Sequence, residues 1–96
     1  MYTIVQLPAF ADWLNHLKDR PSRARLIKRL SRASLGNLGD VKYLGNDVWE
    51  MREHFGPGWR MYYTERASEL VVLLCGGNKS GQEVDIVRAS ELAKEI

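Results

Sequence analysis

The tripeptide Gly56-Pro57-Gly58 constrains the fold most, because it separates two segments in which apolar and polar residues alternate. Alternation with a period of two is typical of β-strands, and glycine with proline is typical of the connection between them. Successive side chains of a strand point to opposite faces, so the pattern predicts one apolar and one polar face. The apolar face, with Glu53 as its one charge, comprises Trp49, Met51, Phe55, Trp59, Met61 and Tyr63.

The polar face of this predicted hairpin is the first candidate site. Its members are Glu50, Arg52, His54, Arg60, Tyr62 and Thr64. If Phe55 and Trp59 flank the turn, the expected opposite pairs are His54 with Arg60, Arg52 with Tyr62, and Glu50 with Thr64. Directly opposed residues lie within about 5.5 Å of each other. The pattern therefore predicts two guanidinium groups, an imidazole and a phenol on one small surface.

The segment before the hairpin predicts a strand and two helices. Residues 2–6 are rich in β-forming side chains. Pro8 and Pro21 suit the first turns of helices. Apolar residues then recur at helical spacing, namely Phe10, Trp13, Leu14 and Leu17 in the first helix and Ala24, Ile27, Leu30 and Ala33 in the second. Val41–Leu44 is predicted to be a short extended segment that leads into the hairpin.

The segment after the hairpin predicts a buried strand and a last helix. Leu70–Cys75 is continuously apolar, as in a central strand that is buried on both faces. Ser80 and Glu83 have capping-box spacing, which predicts a helix from about Gly81. The apolar side of this helix is expected to contain Val84, Val87, Ala89, Leu92, Ala93 and Ile96. Residues 1–96 therefore predict one α+β domain, β-α-α-β-β-β-α, with a small antiparallel sheet, an N-terminal helical hairpin and a C-terminal helix.

Basic residues cluster around the second helix, although the net charge is only +2. Such density favours phosphate binding, and an acidic protein partner or an ordinary solvated helix face are the alternatives. Lys79 adds a charge beside the predicted N-terminus of the last helix, where anions are favoured. The candidate RNA-binding residues are Lys18, Arg23, Arg25, Lys28, Arg29 and Arg32.

Several classes of function lack support in the sequence. One cysteine and two histidines give too few good ligands for a zinc site, and no nucleotide-binding motif is present, so no cofactor is predicted. Cys75 is expected to be a buried, inert thiol, which fits a reducing cytoplasm. No apolar run approaches the length of a membrane span and the first residues do not resemble a signal peptide, so we expect a cytoplasmic protein without a membrane partner.

Two motifs together resemble the RelE/ParE toxin superfamily, and most closely its HigB-like addiction module killer proteins. One is the segment from Met51 to Tyr63 with its Gly-Pro-Gly-aromatic-Arg turn, and the other is Leu73-Leu74-Cys75-Gly76-Gly77-Asn78-Lys79-Ser80. The similarity extends over nearly the whole chain, in length and in the order of elements. It implies a toxin of a type II toxin–antitoxin system that a cognate, DNA-binding antitoxin protein neutralises.

The resemblance also implies roles for particular residues. Most RelE- and HigB-like members cut mRNA in the ribosome without a metal, which makes the ribosome and mRNA expected partners. Arg60 matches the arginine that follows the glycine-aromatic pair after the hairpin turn in such nucleases. It is the first candidate to stabilise the charge on the phosphate, with Arg52 and Lys79 assisting. His54 is the candidate base or acid, and Tyr62 would orient or stack on the substrate. No Tyr or His follows Tyr63, and Asp85 stands near the position of the C-terminal catalytic group of many members.

Three functions therefore follow from the resemblance. The first is a ribosome-dependent mRNA endonuclease. The second is an inhibitor of DNA gyrase, since ParE-like members share the fold but have no known nuclease chemistry. The third is an inactive toxin that only binds its antitoxin. Because one fold supports all three, the choice among them depends on the geometry of the site.

Overall fold

The computed structural model describes all 96 residues as five strands and three α-helices. The elements are β1 (Thr3–Gln6), α1 (Pro8–Asn15), α2 (Arg20–Ser34), β2 (Val41–Gly45), β3 (Val48–Arg52), β4 (Trp59–Arg66), β5 (Leu70–Asn78) and α3 (Gln82–Lys94). A 3₁₀ turn at Lys79–Gly81 joins β5 to α3. The predicted α+β class is confirmed. The order has one strand more than predicted, because Val41–Gly45 pairs with β3.

The strands form one sheet in the order β1-β5-β4-β3-β2. The sheet is mixed and not antiparallel throughout, because β1 runs parallel to β5, with Ile4 beside Val71. The helical hairpin separates β1 from the other strands, and an apolar pattern carries no information about the direction of pairing. The predicted central strand is confirmed: β5 lies between β1 and β4, and Val71–Cys75 are buried.

Helices cover both faces of the sheet. On one face, Phe10 and Leu14 of α1 and Leu26 of α2 pack against the apolar side chains of the strands. The predicted apolar face of the hairpin is confirmed there, since Met51, Met61 and Tyr63 are buried and Trp49, Phe55 and Trp59 pack against them. On the other face, α3 covers the side that the sequence predicted to be an exposed polar surface, and its core consists of Val48, Tyr62, Val72, Leu74, Cys75, Ala89 and Ala93.

An irregularity in β5 enlarges the core under α3. Tyr62 pairs with Cys75 and Tyr63 with Leu73, so Leu74 has no partner in β4. A bulge of this kind turns the strand locally, and Leu74 and Cys75 both enter the cluster that α3 covers. The prediction of a buried thiol is confirmed, and burial raises the pKa of Cys75 to about 11.

The buried side of α2 differs from the predicted one. Ala24 and Ile27 are exposed, whereas Leu26 and Arg29 are buried with Leu30, Ala33 and Ser22. The prediction assigned Arg29 to the polar side because a charged side chain is rarely buried unless it is paired. Here the guanidinium group is paired, so the helix turns Arg29 towards the sheet. Asp19 caps this helix by accepting hydrogen bonds from the backbone nitrogen and hydroxyl of Ser22.

The predicted apolar side of the last helix is right in part. Ala89 and Ala93 are buried and Leu92 packs against their cluster, whereas Val84, Val87 and Ile96 are exposed. Small residues fit this face because the strand beneath it presents the bulky side chain of Tyr62. The predicted capping box is wrong: Asn78 Oδ1 accepts from the nitrogen and hydroxyl of Ser80 at 3.0 and 2.6 Å. None of the helices has the length and apolar character needed to cross a membrane.

Candidate functional site

The register of the β3–β4 hairpin differs from the expected one by two residues. Arg52 lies opposite Arg60, and Glu50 lies opposite Tyr62. The expected pairs are wrong because β3 ends at Arg52 and does not reach Phe55, while β4 begins at Trp59 as expected, so residues 53–58 form a longer connection. A shift of two residues keeps every side chain on its predicted face, whereas a shift of one would reverse the faces. His54 consequently lies beyond the end of β3.

A groove without apolar side chains runs past this connection, and we call it the basic trough. Three adjoining depressions form it, of about 300, 240 and 210 Å³, and all of them contact Glu53. One lies under the loop before β2, the second lies along α2, and the third lies between the hairpin connection and Lys79. The charged side chains that line the trough, together with the imidazole of His54, are Arg25, Lys28, Arg29, Arg32, Asp40, Arg52, Glu53, Arg60 and Lys79.

Arg60 lies where the trough meets the core and is only 6 % exposed. Its Nη1 donates to the carbonyl oxygens of Glu53 and Trp59, both at 3.0 Å. Its Nε lies 3.9 Å from the carboxylate of Glu50, which is buried and accepts a hydrogen bond of 2.6 Å from Gln82. Nη2 has no hydrogen-bond partner in the protein. The guanidinium group is therefore held by the hairpin backbone, and Arg60 lines the trough between the hairpin connection and Lys79.

Gly58 lies between Lys79 and Arg60, and the missing side chain of the glycine lets both residues approach it closely. A Cβ at Gly58 would lie 3.3 Å from Cβ of Lys79 and 3.6 Å from Nη1 of Arg60. Gly58 also has a φ of +78°, a conformation that side chains disfavour. The glycine therefore allows the turn and keeps this end of the trough open between the two cations.

Asp40 joins two of the predicted site residues. Its Oδ1 accepts a hydrogen bond of 2.9 Å from Nη2 of Arg52, and its Oδ2 lies 2.7 Å from Nε2 of His54. Hydrogen bonds from Arg52 and then from His54 lower the pKa of Asp40 to about 2. Asp40 is consequently ionised at neutral pH. The three side chains form a connected group at one end of the trough.

Arg29 forms the floor of the trough, and its guanidinium group is bound by other groups of the protein. Its Nη2 donates to the carbonyl oxygens of Leu38 and Asp40 at 3.0 and 2.7 Å, and its Nη1 donates to the carbonyl oxygen of Arg52. Nη1 also lies 3.1 Å from the carboxylate of Glu53. Arg29 therefore joins α2 to β3 and to the loop before β2, and it has little capacity left to bind RNA.

The other basic residues of the helical hairpin divide into two groups. Arg25, Lys28 and Arg32 line the trough, and the guanidinium group of Arg25 lies 3.7 Å from the centre of the Phe55 ring. Lys18 and Arg23 do not line it, and Arg23 Nη1 donates to the carbonyl oxygen of Asn15. The structure thus brings four of the six candidate residues of this hairpin to the trough, with Arg29 at its floor and Arg25, Lys28 and Arg32 beside the other lining cations.

Two predicted site residues lie under α3 and outside the trough. Tyr62 is fully buried, and its pKa is raised by burial and by the charge of Glu50. Asp85 lies against Gly77, where a Cβ would be only 2.0 Å from its Oδ2, and burial raises its pKa. Neither side chain lines the trough, although Tyr62 lies within electrostatic range of Arg60.

The sequence interpretation missed two acidic residues of the trough. Glu53 was recognised as the one charge on an apolar face, and such a position could have predicted a buried cationic partner, which is Arg29. Asp40 gave no such signal, because it ends a glycine-rich loop and meets His54 only in the tertiary structure. No three His, Cys, Asp or Glu side chains come together in a group that could hold a metal ion.

Comparison with known proteins identifies the family. The family model described as phage-derived protein Gp49-like (DUF891) matches residues 12–95. The chain belongs to this family. It is an addiction-module, toxin-like family, which agrees with the coarser part of the resemblance seen in the sequence. An uncharacterised protein of Haemophilus influenzae is 40% identical over 87 residues, which cover 91% of this chain and 88% of that protein. No solved structure matches.

Proposed function

We propose that the protein is the toxin of a type II toxin–antitoxin system and that it cuts mRNA on the ribosome. The observation that supports this most directly is the basic trough, which brings Arg60, Lys79, Arg52 and His54 together with the basic side of α2. A groove of cations without apolar lining suits a sugar-phosphate backbone better than a small apolar ligand. Membership of the Gp49-like family is compatible with such a toxin.

The proposed reaction is cleavage of RNA by its own 2′-hydroxyl group. His54 accepts the hydroxyl proton, the 2′-oxygen bonds to phosphorus, and the bond from phosphorus to the 5′-oxygen breaks. The 5′-oxygen takes a proton from water, which leaves a 2′,3′-cyclic phosphate and a 5′-hydroxyl. Charge that builds on the phosphate oxygens is stabilised by Nη2 of Arg60 and by Lys79. Arginine suits this position because its planar group remains charged and can grip phosphate.

The proposed partners follow from the same charge distribution. The ribosome presents the mRNA, and the cations on α2 contact its backbone or that of ribosomal RNA. A cognate antitoxin would neutralise the toxin by covering the trough or the basic helices with acidic and apolar residues. Such a cover would remove Arg60 and His54 from the substrate, so antitoxin binding and RNA binding are expected to exclude each other.

The first test is primer extension on a reporter mRNA in a cell-free translation mixture. Arg60→Lys is the informative variant, because it keeps a positive charge against the buried Glu50 carboxylate but loses the planar donor. Lys79→Gln removes the second cation, and Lys94→Gln removes an exposed lysine outside the trough as a matched control. We expect Arg60→Lys to slow cleavage roughly 10²- to 10³-fold, as does the loss of one oxyanion donor elsewhere, and Lys94→Gln to leave it unchanged.

The result that contradicts the proposal is growth arrest by the wild-type protein without new 5′ ends in translated mRNA. DNA breaks in the arrested cells would then indicate the gyrase inhibitor. One observation favours that second function: Tyr62 and Asp85 lie outside the trough, so it holds fewer groups for proton transfer. A wild-type protein that binds an antitoxin but neither arrests growth nor cuts mRNA would be the inactive form.

A further inference from the structure

The contact between Asp40 and His54 restricts the chemistry of the imidazole ring. Nε2 of His54 lies 2.7 Å from Oδ2 of Asp40, while the second oxygen of the carboxylate accepts from Arg52. The side chain of His54 is otherwise 70 % exposed, and its Nδ1 has no hydrogen-bond partner in the protein. One ring nitrogen is thus bound and the other is free.

The charge of Asp40 determines which nitrogen carries the proton in the neutral ring. With a pKa of about 2, Asp40 is ionised at neutral pH, and an ionised carboxylate only accepts hydrogen bonds. Nε2 must therefore be the donor. In neutral imidazole the other nitrogen then holds a lone pair, so Nδ1 is the basic atom.

We propose that Asp40 is a positioning residue that holds His54 as the Nε2–H tautomer and leaves Nδ1 as the base. This inference rests on the proposed function, in which His54 accepts the proton of the 2′-hydroxyl group. Arg52 contributes by holding the other carboxylate oxygen, which fixes the orientation of Asp40 itself. Asp40 would orient His54 in the same way as the aspartate of a Ser-His-Asp triad orients the catalytic histidine.

The protein contains an internal reference for this assignment. Nδ1 of His16 lies 2.7 Å from the carbonyl oxygen of Asp12, and a carbonyl oxygen also only accepts. Neutral His16 is therefore expected to carry its proton on Nδ1, opposite to His54. The two histidines should show contrasting patterns of ¹⁵N resonances in one spectrum.

Asp40→Asn tests the tautomer sharply. Nη2 of Arg52 is only a donor, so the asparagine oxygen must face Arg52 and its NH₂ group must face His54. Nε2 would then have to accept, and the ring proton would move to Nδ1. Asp40→Ala removes the contact and should give an average of both tautomers. Asp47→Asn is the matched control, because Asp47 is an exposed aspartate in the turn before β3 with no side-chain contact to His54.

The measurement is ¹⁵N–¹H correlation of the imidazole rings in the wild-type protein and these variants at a pH where the rings are neutral. We expect Nε2–H for His54 in the wild type and in Asp47→Asn, a reversal in Asp40→Asn, and unchanged His16 resonances throughout. A spectrum of His54 that is the same in all four proteins would overturn the proposal. This readout does not depend on nuclease activity, so it separates failure of the positioning role from failure of the proposed function.

Cleavage kinetics on programmed ribosomes give the second readout. Asp40→Asn should lower kcat roughly 10²-fold with little change in KM, because general-base catalysis contributes roughly 10²- to 10⁴-fold. Asp47→Asn should match the wild type. If Asp40→Ala instead increased cleavage and RNA affinity, Asp40 would be a competitor that occupies the phosphate site between Arg52 and His54, and the proposal would be wrong. Absence of cleavage by the wild type would overturn the proposed function.

Discussion

At the scale of single residues, burial separates two uses of arginine in this protein. Arg29 and Arg32 are one turn apart on α2, yet Arg29 is buried and Arg32 is exposed. Arg29 contacts three carbonyl oxygens and the carboxylate of Glu53. Arg32 lines the trough without an ion pair. Identical side chains on one helix therefore serve the fold in one case and remain available to a partner in the other.

Arg29→Met is expected to destabilise the protein by about 3 kcal/mol, because removal of one member of a buried ion pair leaves the other charge uncompensated. Three carbonyl oxygens would also lose their donor. The measurement is urea denaturation followed by circular dichroism. Arg32→Met, the same change one turn later, is the control and should stay within about 0.5 kcal/mol of the wild type. Equal midpoints for both variants would show that the interior contacts of Arg29 add no stability.

At the scale of elements, two adjacent glycines let helices approach β5 from both sides. A Cβ at Gly76 would lie 2.3 Å from the ring of Trp13 on α1, and a Cβ at Gly77 would lie 2.0 Å from the carboxylate of Asp85 on α3. Neighbouring strand residues point to opposite faces, so the pair serves both helical layers. The end of β5 that carries Lys79 towards the trough is positioned by these close contacts.

Gly76→Ala is expected to cost about 1–3 kcal/mol, the usual range for an added methyl group in a packed core. The ring of Trp13 has little room to move, since Phe10 and Trp59 pack against it at 5.6 and 6.1 Å between ring centres. Gly81→Ala is the matched control, because its nearest neighbour would be at an ordinary 3.4 Å. Urea denaturation followed by tryptophan fluorescence would compare them, and a control that is destabilised equally would contradict the packing argument.

At the scale of the whole molecule, charge distribution matters more than net charge. The net charge is +2, but most side chains that line the basic trough are cationic. Lys18 and Lys94 are equally charged and exposed but lie outside the trough. The structure therefore separates basic residues that can follow one RNA strand from those that are dispersed over the surface.

The salt dependence of RNA binding should report this separation. Replacement of Lys28 and Arg32 by Gln is expected to reduce the slope of log K against log [KCl] by about 1.4, since each phosphate contact to single-stranded nucleic acid contributes about 0.7. The matched double variant, Lys18→Gln with Lys94→Gln, removes the same charge from outside the trough and should change the slope much less. Fluorescence anisotropy of a labelled single-stranded RNA measures both. Equal slopes for the two variants would show that RNA binding depends on total charge alone.

The sequence by itself determined those features that depend on local periodicity. The period-two pattern predicted the hairpin and both of its faces, and the apolar run predicted β5 as a buried strand. Phe10 and Leu14 were recognised as core residues because their helical spacing is unbroken. Eight residues of the trough were also named from sequence, because basic residue types on a helix, beside a turn or near a helix terminus are visible in the chain itself. They are Arg25, Lys28, Arg29, Arg32, Arg52, His54, Arg60 and Lys79.

Only the tertiary structure decided which of these groups meet. The register of β3 and β4 depended on the length of their connection, and a shift of two residues leaves the alternation unchanged. Arg29 entered the core, and Tyr62 was covered by α3, because partners from distant elements paired the first and packed over the second. The direction of β1 and the contact of Asp40 with His54 have no local pattern. Both depend on how the helical hairpin and the following loop pack against the sheet, which is a property of the folded chain.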